Sequence, residues 1–386
     1  DVDGIRLDAA DVLDFDFMKA LRHVANEVKP DFWLMGEVIH GDYSRWVNEG
    51  TLHSVTNYQL HKALYSGNND HNFFEIAHTV KRLYEMGSNN PNGFKLYNFV
   101  DNHDVERIYT KLNNKAHFTP VHILLYTLPG IPSLYYGSEF GIEGRKEKFS
   151  DASLRPALNL EDYKNALTDN SFTALIAALG RTKQQSKALS YGDYKELQLM
   201  NRQYAFSRNF EGENVVVTVN NDDSDFTMTL PAGNVAEYIG ALSGQKVRVE
   251  NGNICVNVKA NSGDIWLPVT NGTSEKQPTV TPVELRVEDA AKTASSIKAA
   301  PQDNAEVQKT SETAATPVAA EKTASVNAAS TDKKSSDTSE DFEKGKIAGL
   351  QEAILAIMEK NGPVTDQMRK DVTDNVYHDS LINWIK

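Results

Sequence analysis

The chain has 386 residues and a formal net charge of -13. That balance argues against nucleic acid or an anionic membrane as partner, since both call for a basic surface. No run of about 18 apolar residues exists to span a bilayer, and the single Cys255 forbids an internal disulfide, which fits a bacterial cytoplasm slightly better than a secreted setting.

Short apolar runs near 3–8, 32–36, 54–58, 94–100 and 131–136 predict buried strands, with helices between them. Asp14 caps a predicted helix with Phe17, Leu21, Val24 and Val28 inward, and Asn72 caps another with Phe73, Ile76, Val80 and Leu83 inward. Thr119-Pro120 marks a third helix start, with Pro at the first position and Leu124, Leu125 and Leu128 inside. From 187 to about 268 the period changes to two. Strands are expected at 203–206, 214–219 and 253–258, with hairpin turns at 220–223 and 250–253. Residues 271–340, rich in Ala, Thr, Ser and Lys, predict a disordered linker. In 341–386 a helical stripe (Ile347, Leu350, Ile354, Ile357, Met358) ends at Asn361-Gly362-Pro363, and a second short helix carries Met368, Val372 and Val376 ahead of Leu381, Ile382 and Trp384. That tail either docks on its own chain or serves self-association or a partner. The expected organisation is therefore 1–186, a partial α/β barrel; 187–270, an antiparallel β-sandwich; 271–340, linker; and 341–386, helical tail.

Three of the predicted strands end in acids: Asp8, Glu37 and Asp104. In a barrel of eight strand-helix units one unit takes roughly 30 residues, and catalytic groups sit at the carboxyl ends of the strands. Asp8 and Glu37 are about one unit apart, and Asp104 follows two further on. Retaining glycoside hydrolysis needs a carboxylate nucleophile beside a proton-donating acid. Asp8 fits the first role and Glu37 the second. Arg6, two residues before Asp8 on a strand, shares its face and would orient it. Asn102, His103 and Asp104 would bind sugar hydroxyls, unless this run merely caps a helix. Arg107 would either reach a glucose hydroxyl or pair with Asp104 or Glu106. Tyr58, Tyr135 and Tyr136 would offer flat faces to sugar rings. His40, His53, His61, His71 and His78 show no metal-binding pattern.

The run Asp3-Gly4-Ile5-Arg6-Leu7-Asp8-Ala9-Ala10 resembles the nucleophile motif of the α-amylase family of glycoside hydrolases. Gly36-Glu37-Val38 resembles its acid/base motif, and Phe99 to Asp104 the motif of its transition-state-stabilising Asp. Pro129 to Gly141 is similar to its eighth strand and the loop that follows. The resemblance runs from residue 1 to about 268. It implies the C-terminal part of a (β/α)8 barrel (strands four to eight) followed by an antiparallel sandwich, with Asp8 as nucleophile, Glu37 as acid and base, and an α-glucan oligosaccharide as substrate. The chain opens at Asp1 inside a strand and is expected to be a fragment. No cofactor is implied, because the family's structural Ca²⁺ is held largely by a part absent here. Asp11-Val12, where starch-type enzymes carry Lys-His, is more similar to neopullulanases, cyclomaltodextrinases and maltogenic amylases. The expected activity is retaining hydrolysis of α-1,4 or α-1,6 bonds. A transglycosylase on the same site, or a non-catalytic amylase-like binding subunit, is the alternative.

Overall fold

The computed structural model describes residues 2–88, 93–269, 278–290, 347–348, 351–352, 354–355, 359 and 365–374. Residues 1–304 form one compact unit and 305–386 a second.

The first unit opens with alternating strands and helices: β1 (Gly4–Leu7), α1 (Phe15–Val28), β2 (Trp33–Gly36), β3 (Ser54–Val55), α2 (Tyr58–Asn69), α3 (Phe73–Met86), β4 (Tyr97–Phe99), α4 (Ile108–Lys111), α5 (Phe118–Thr127) and β5 (Ile131–Ser133). The strands run parallel in the order β1-β2-β3, and β4 pairs parallel with β5. A parallel bridge between Thr56 and Tyr97 joins the two groups. Five consecutive parallel strands, each reached through helical crossovers, make the C-terminal part of a (β/α)8 barrel. The strand cores are apolar on both faces, as a covered parallel sheet requires, with Leu34, Met35, Val55 and Phe99 all buried.

Helix α3 buries Phe73, Ile76, Val80 and Leu83, as its spacing predicts. Helix α1 differs from expectation. Its Asp14 cap accepts from the N–H groups of Asp16 and Phe17, but the buried residues are Met18 and Ala25. Phe17, Val24 and Val28 are exposed. Leu21 belongs to two overlapping stripes one residue apart, and the sheet takes the stripe carrying Met18 and Ala25. Helix α5 starts at Phe118, two residues before Pro120, the predicted first position. Pro120 is tolerated at the third position because the first turn's N–H groups have no intrahelical partner.

Three further helices, α6 (Ala166–Asp169), α7 (Ser171–Gln185) and α8 (Lys187–Tyr191), lead into eight antiparallel strands. These are β6 (Asp193–Leu199), β7 (Gln203–Phe210), β8 (Glu213–Asn220), β9 (Phe226–Pro231), β10 (Glu237–Gly240), β11 (Lys246–Arg248), β12 (Asn253–Val258) and β13 (Ser262–Val269). They form a sandwich of a six-stranded sheet, β11-β10-β13-β8-β7-β6, and a two-stranded sheet, β12-β9. Alternation along β8 decides what each face meets. Val216 joins Trp266, Ile254 and Val256 between the sheets. Val215, Val217 and Val219 join the core that also holds α5 and α7 residues such as Ile123 and Leu179. The expected hairpin at 220–223 is not one, because β8 and β9 belong to different sheets. The 250–253 turn forms, closed by a bridge between Glu250 and Asn253, yet the strands flanking it also part into different sheets. A true hairpin turn lies at Glu211-Gly212, both with positive φ, between β7 and β8.

The expected linker is corrected over 278–290. Thr281 and Val283 donate backbone N–H groups to Ala241 and Leu242. Ser171 N–H donates to Asp289 at 3.0 Å, and Arg286 N–H to Ser171 Oγ at 2.9 Å. Val283 and Leu285 pack against the main core. The remainder of the linker expectation, 271–277 and 291–340, lies outside the described residues.

In the second unit, α9 (Asp366–Thr373) places Val372 against Ile354, with Ile347 and Leu355 beside them. Gln351 donates to the carbonyls of Val372 and Thr373 at 3.2 and 3.0 Å. Of the tail expectations, those on Leu350, Ile357, Met358, 361–363, the Met368 side chain, Val376, Leu381, Ile382 and Trp384 lie outside the described residues.

Candidate active site

Parallel register brings the first two acids together. Leu7 faces Gly36 across β1 and β2, and the Glu37 N–H continues the ladder to the Leu7 carbonyl at 2.9 Å. Asp8 and Glu37 therefore leave adjacent strands at the same rim. Arg6 lies between them, donating to Asp8 Oδ1 at 2.7 Å and to Glu37 Oε2 at 2.8 Å. Ala9, just after Asp8, adopts φ 44°, a left-handed conformation unusual for a residue with a Cβ. That turn aims its N–H at Glu37 Oε2, 3.4 Å away. Glu37 is nearly enclosed and Asp8 open, with side-chain exposures of 12% and 81%.

Gly36 explains how Glu37 can sit so deep. A Cβ there would lie 2.5 Å from Leu52 Cδ1 and 2.7 Å from Ala10 Cβ. Gly36→Ala is expected to destabilise by about 1–3 kcal/mol through overpacking. It should also push Glu37 off the rim and lower turnover more than stability. Urea unfolding and kcat measured on the same preparation check this; turnover unchanged at reduced stability would remove Gly36 from positioning Glu37.

A hydrogen-bonded chain ties this pair to the third acid. Tyr58, at the start of α2, donates its hydroxyl to Glu37 Oε1 at 3.1 Å and accepts from Asn102 Nδ2 at 3.3 Å. Burial, above all, pushes the Tyr58 phenol up to about 12, so it remains a donor. Phe99 meets Tyr58 edge-on and stacks on His61, whose imidazole burial holds down to about 3, hence neutral. Asn102 Oδ1 accepts from the N–H groups of Asp104 and Val105 at 2.8 and 3.1 Å, which fixes the turn after β4. Asp104 pairs with His103 Nε2 at 3.0 Å and with Arg155 Nη2 at 3.2 Å. Arg6, Asp8, Glu37, Tyr58, Asn102, His103 and Asp104 thus share one rim.

Arg107 does not. It is fully buried. Its guanidinium donates to the Tyr136 carbonyl (2.6 Å), Ser138 Oγ (3.3 Å) and the Leu154 carbonyl (2.8 Å), and covers the Tyr135 ring at 4.1 Å. None of its expected partners (sugar, Asp104 or Glu106) is what it holds. Tyr135 is consequently a packing face for Arg107, whereas Tyr136 stays 41% exposed.

Sequence reasoning missed Arg155, Asp151 and Lys146. Arg155 also donates to the His103 carbonyl at 3.2 Å and pairs with Asp151 at 3.4 Å, and Lys146 donates to the Asp104 carbonyl at 3.1 Å. They sit after β5 in a stretch without periodicity, and an Asp–Arg pair four apart was the one local signal. Asp101 was missed too. Fully buried, it accepts from Ser138 Oγ (2.7 and 2.9 Å) and from Ile108 N–H (2.8 Å). Burial raises its pKa, opposed by the Ile108 N–H and by Arg107.

Comparison with known proteins agrees with the fold. The family model for the α-amylase catalytic domain matches residues 1–203, and that for the α-amylase C-terminal domain matches 192–266. The chain belongs to the α-amylase family. It is 29% identical over 226 residues to the cyclomaltodextrinase of Thermoanaerobacter pseudethanolicus, covering 57% of this chain and 38% of that one. It is 26% identical over 275 residues to neopullulanase 2 of Thermoactinomyces vulgaris, covering 68% and 45%. An Anoxybacillus α-amylase structure superposes with a TM-score of 0.61 at 24% identity, over 70% of this chain and 60% of that one, which supports the fold. The chain spans about two fifths of the length of the two relatives.

Proposed function

We propose that this chain carries the acids of a retaining α-glucan hydrolase acting on α-1,4 or α-1,6 bonds of maltodextrins, cyclodextrins or pullulan. The observation that carries the reading is Arg6 holding Asp8 and Glu37 together at the strand ends while Tyr58 and Asn102 tie them to the Asp104 turn.

In the first step Glu37 gives its proton to the glycosidic oxygen as Asp8 attacks the anomeric carbon. The leaving sugar departs with the proton, and an Asp8 glycosyl ester remains. In the second step Glu37 takes a proton from water, which attacks the same carbon and frees Asp8. Two inversions return the α configuration. The open position of Asp8 suits a group that must reach a sugar, and Arg6 restrains its direction. Asp104 and His103 would take sugar hydroxyls, with Arg155 exchanging its bond to Asp104 for the incoming sugar. The named relatives, a cyclomaltodextrinase and a neopullulanase, support the substrate class.

The test uses the whole protein that carries this chain, incubated with maltoheptaose, β-cyclodextrin and pullulan, with products followed by NMR before mutarotation. The expected first product is the α-anomer. Initial release of the β-anomer would eliminate Asp8 as nucleophile, and absence of turnover on all three glucans would sink the hydrolase reading. Growth of longer oligosaccharides from a labelled glucose acceptor would assign the second step to sugar rather than water.

A further inference from the structure

At the opposite end of the strands from the acids lies a second cavity of about 520 Å³. Its wall includes the residues leading into β4 and β5 (Phe94, Lys95, Leu96 and Pro129), which places it at the amino ends of the barrel strands. Leu83 and Tyr84 of α3, Tyr191 of α8 and Phe210 of β7 add apolar surface to a wall that also holds Asn57, Ser88 and Asp193. Cavities of this size and character are those that enclose small organic ligands.

What sets this cavity apart is its charge. Lys95 lines it and, among the described residues, has no hydrogen-bond or ion-pair partner. Directly behind Gly192, another lining residue, is Arg208, fully buried. Its guanidinium bonds only carbonyls, those of Gly192 (3.2 and 2.8 Å) and Thr127 (2.5 Å). Lys183 of α7 likewise donates to a carbonyl, that of Leu189, at 3.0 Å. Among the described residues, none of the three cations has a carboxylate within ion-pair distance. Asp193, on the lining, is the acid close enough for its charge to be felt, by Lys95 and by Arg208. Burying cations without partnered carboxylates is costly, and the deficit faces a cavity.

We propose that this cavity binds a small amphipathic organic anion, a carboxylate head on an apolar body, with the head at Lys95 backed by Arg208 and Lys183 and the body against Leu83, Tyr84, Phe94, Tyr191 and Phe210. The site is separate from the glucan rim and does not depend on the glycosidase reading.

A supporting signature comes from Lys183. Burial first, then the charges of Arg208 and Lys95, hold its ammonium down to about 7. The groups that bear on it and its neighbours are Lys95, Arg208, Asp193 and Tyr84. An anion seated among them restores the charged form, so binding near neutral pH should take up protons.

Octanoate is the probe, with 1-octanol and octyltrimethylammonium as matched chains, titrated calorimetrically into the whole protein in buffers of different ionisation heat. Octanoate is expected to bind at least tenfold more tightly than octanol, with proton uptake at pH 7, and the cation not at all. Lys95→Met should erase the preference for octanoate while leaving glucan turnover and folding unchanged, because Lys95 holds no partner. Equal affinity for octanoate and octanol, full octanoate affinity in Lys95→Met, or no octanoate binding at millimolar concentration would each overturn the proposal.

Discussion

Asp8→Ala should lower turnover of maltoheptaose by roughly 10⁴-fold or more, since removing a catalytic nucleophile forfeits the covalent route altogether. Stability should hardly change. Asp8 is 81% exposed, and Arg6 keeps its bond to Glu37 when Asp8 is gone. Glu37→Ala should be comparably slow on natural glucans, whose leaving sugar needs a proton. It should be far less impaired on α-maltosyl fluoride, whose fluoride leaves unprotonated. Azide then separates the two roles. In Asp8→Ala it enters from the face the carboxylate vacated, displacing fluoride once and giving β-maltosyl azide. In Glu37→Ala the Asp8 ester still forms, and azide opens it in a second inversion to give α-maltosyl azide. The reverse pairing of product and variant would exchange the two assignments. Near-wild-type turnover of maltoheptaose by either variant would strip that residue of its role.

The acids were legible because a parallel barrel repeats with a nearly fixed chain length and each acid closes an apolar run. Arg6 was legible because a period of two puts it on the face of Asp8. Helix α3 was readable for a similar reason, its four large residues forming one unambiguous stripe. In α1 the pattern permits two stripes sharing Leu21, and a contact with the sheet, invisible in the sequence, selects between them. The ordered stretch 278–290 was hidden by averaging. Val283 and Leu285 are few among seventy residues rich in Ala, Thr, Ser and Lys, yet two backbone bonds to the Ala241-Leu242 turn and a polar clasp on Ser171 suffice to seat them. Arg107 was misplaced because an arginine close to an acid motif reads as a surface or site cation. Its real partners, the carbonyls of Tyr136 and Leu154, are 29 and 47 residues away and carry no side-chain signature.

That burial makes Arg107 the origin of the second large effect. Arg107→Met should destabilise the protein by roughly 3–5 kcal/mol, the usual cost of deleting one member of a buried polar and charged network. The thioether fills much of the volume, but the Tyr136 and Leu154 carbonyls lose their donor and Asp101 loses the cation that offsets its burial. The pH dependence identifies the cause. A carboxyl whose folded pKa is raised favours the folded state at low pH, and that contribution disappears as pH climbs through the folded pKa. Asp101 is such a group already, and without Arg107 its pKa rises further. The gap in unfolding free energy between wild type and Arg107→Met should therefore be largest at neutral pH and narrow toward pH 4, near the ordinary carboxyl range. Urea denaturation across that range checks it. Between Asp101→Asn and Asp101→Asn/Arg107→Met the gap should not vary with pH, because the titrating group is gone from both. A gap that stays constant with pH in the single variant would mean that Arg107 acts through its carbonyl bonds alone and that Asp101 does not feel its charge.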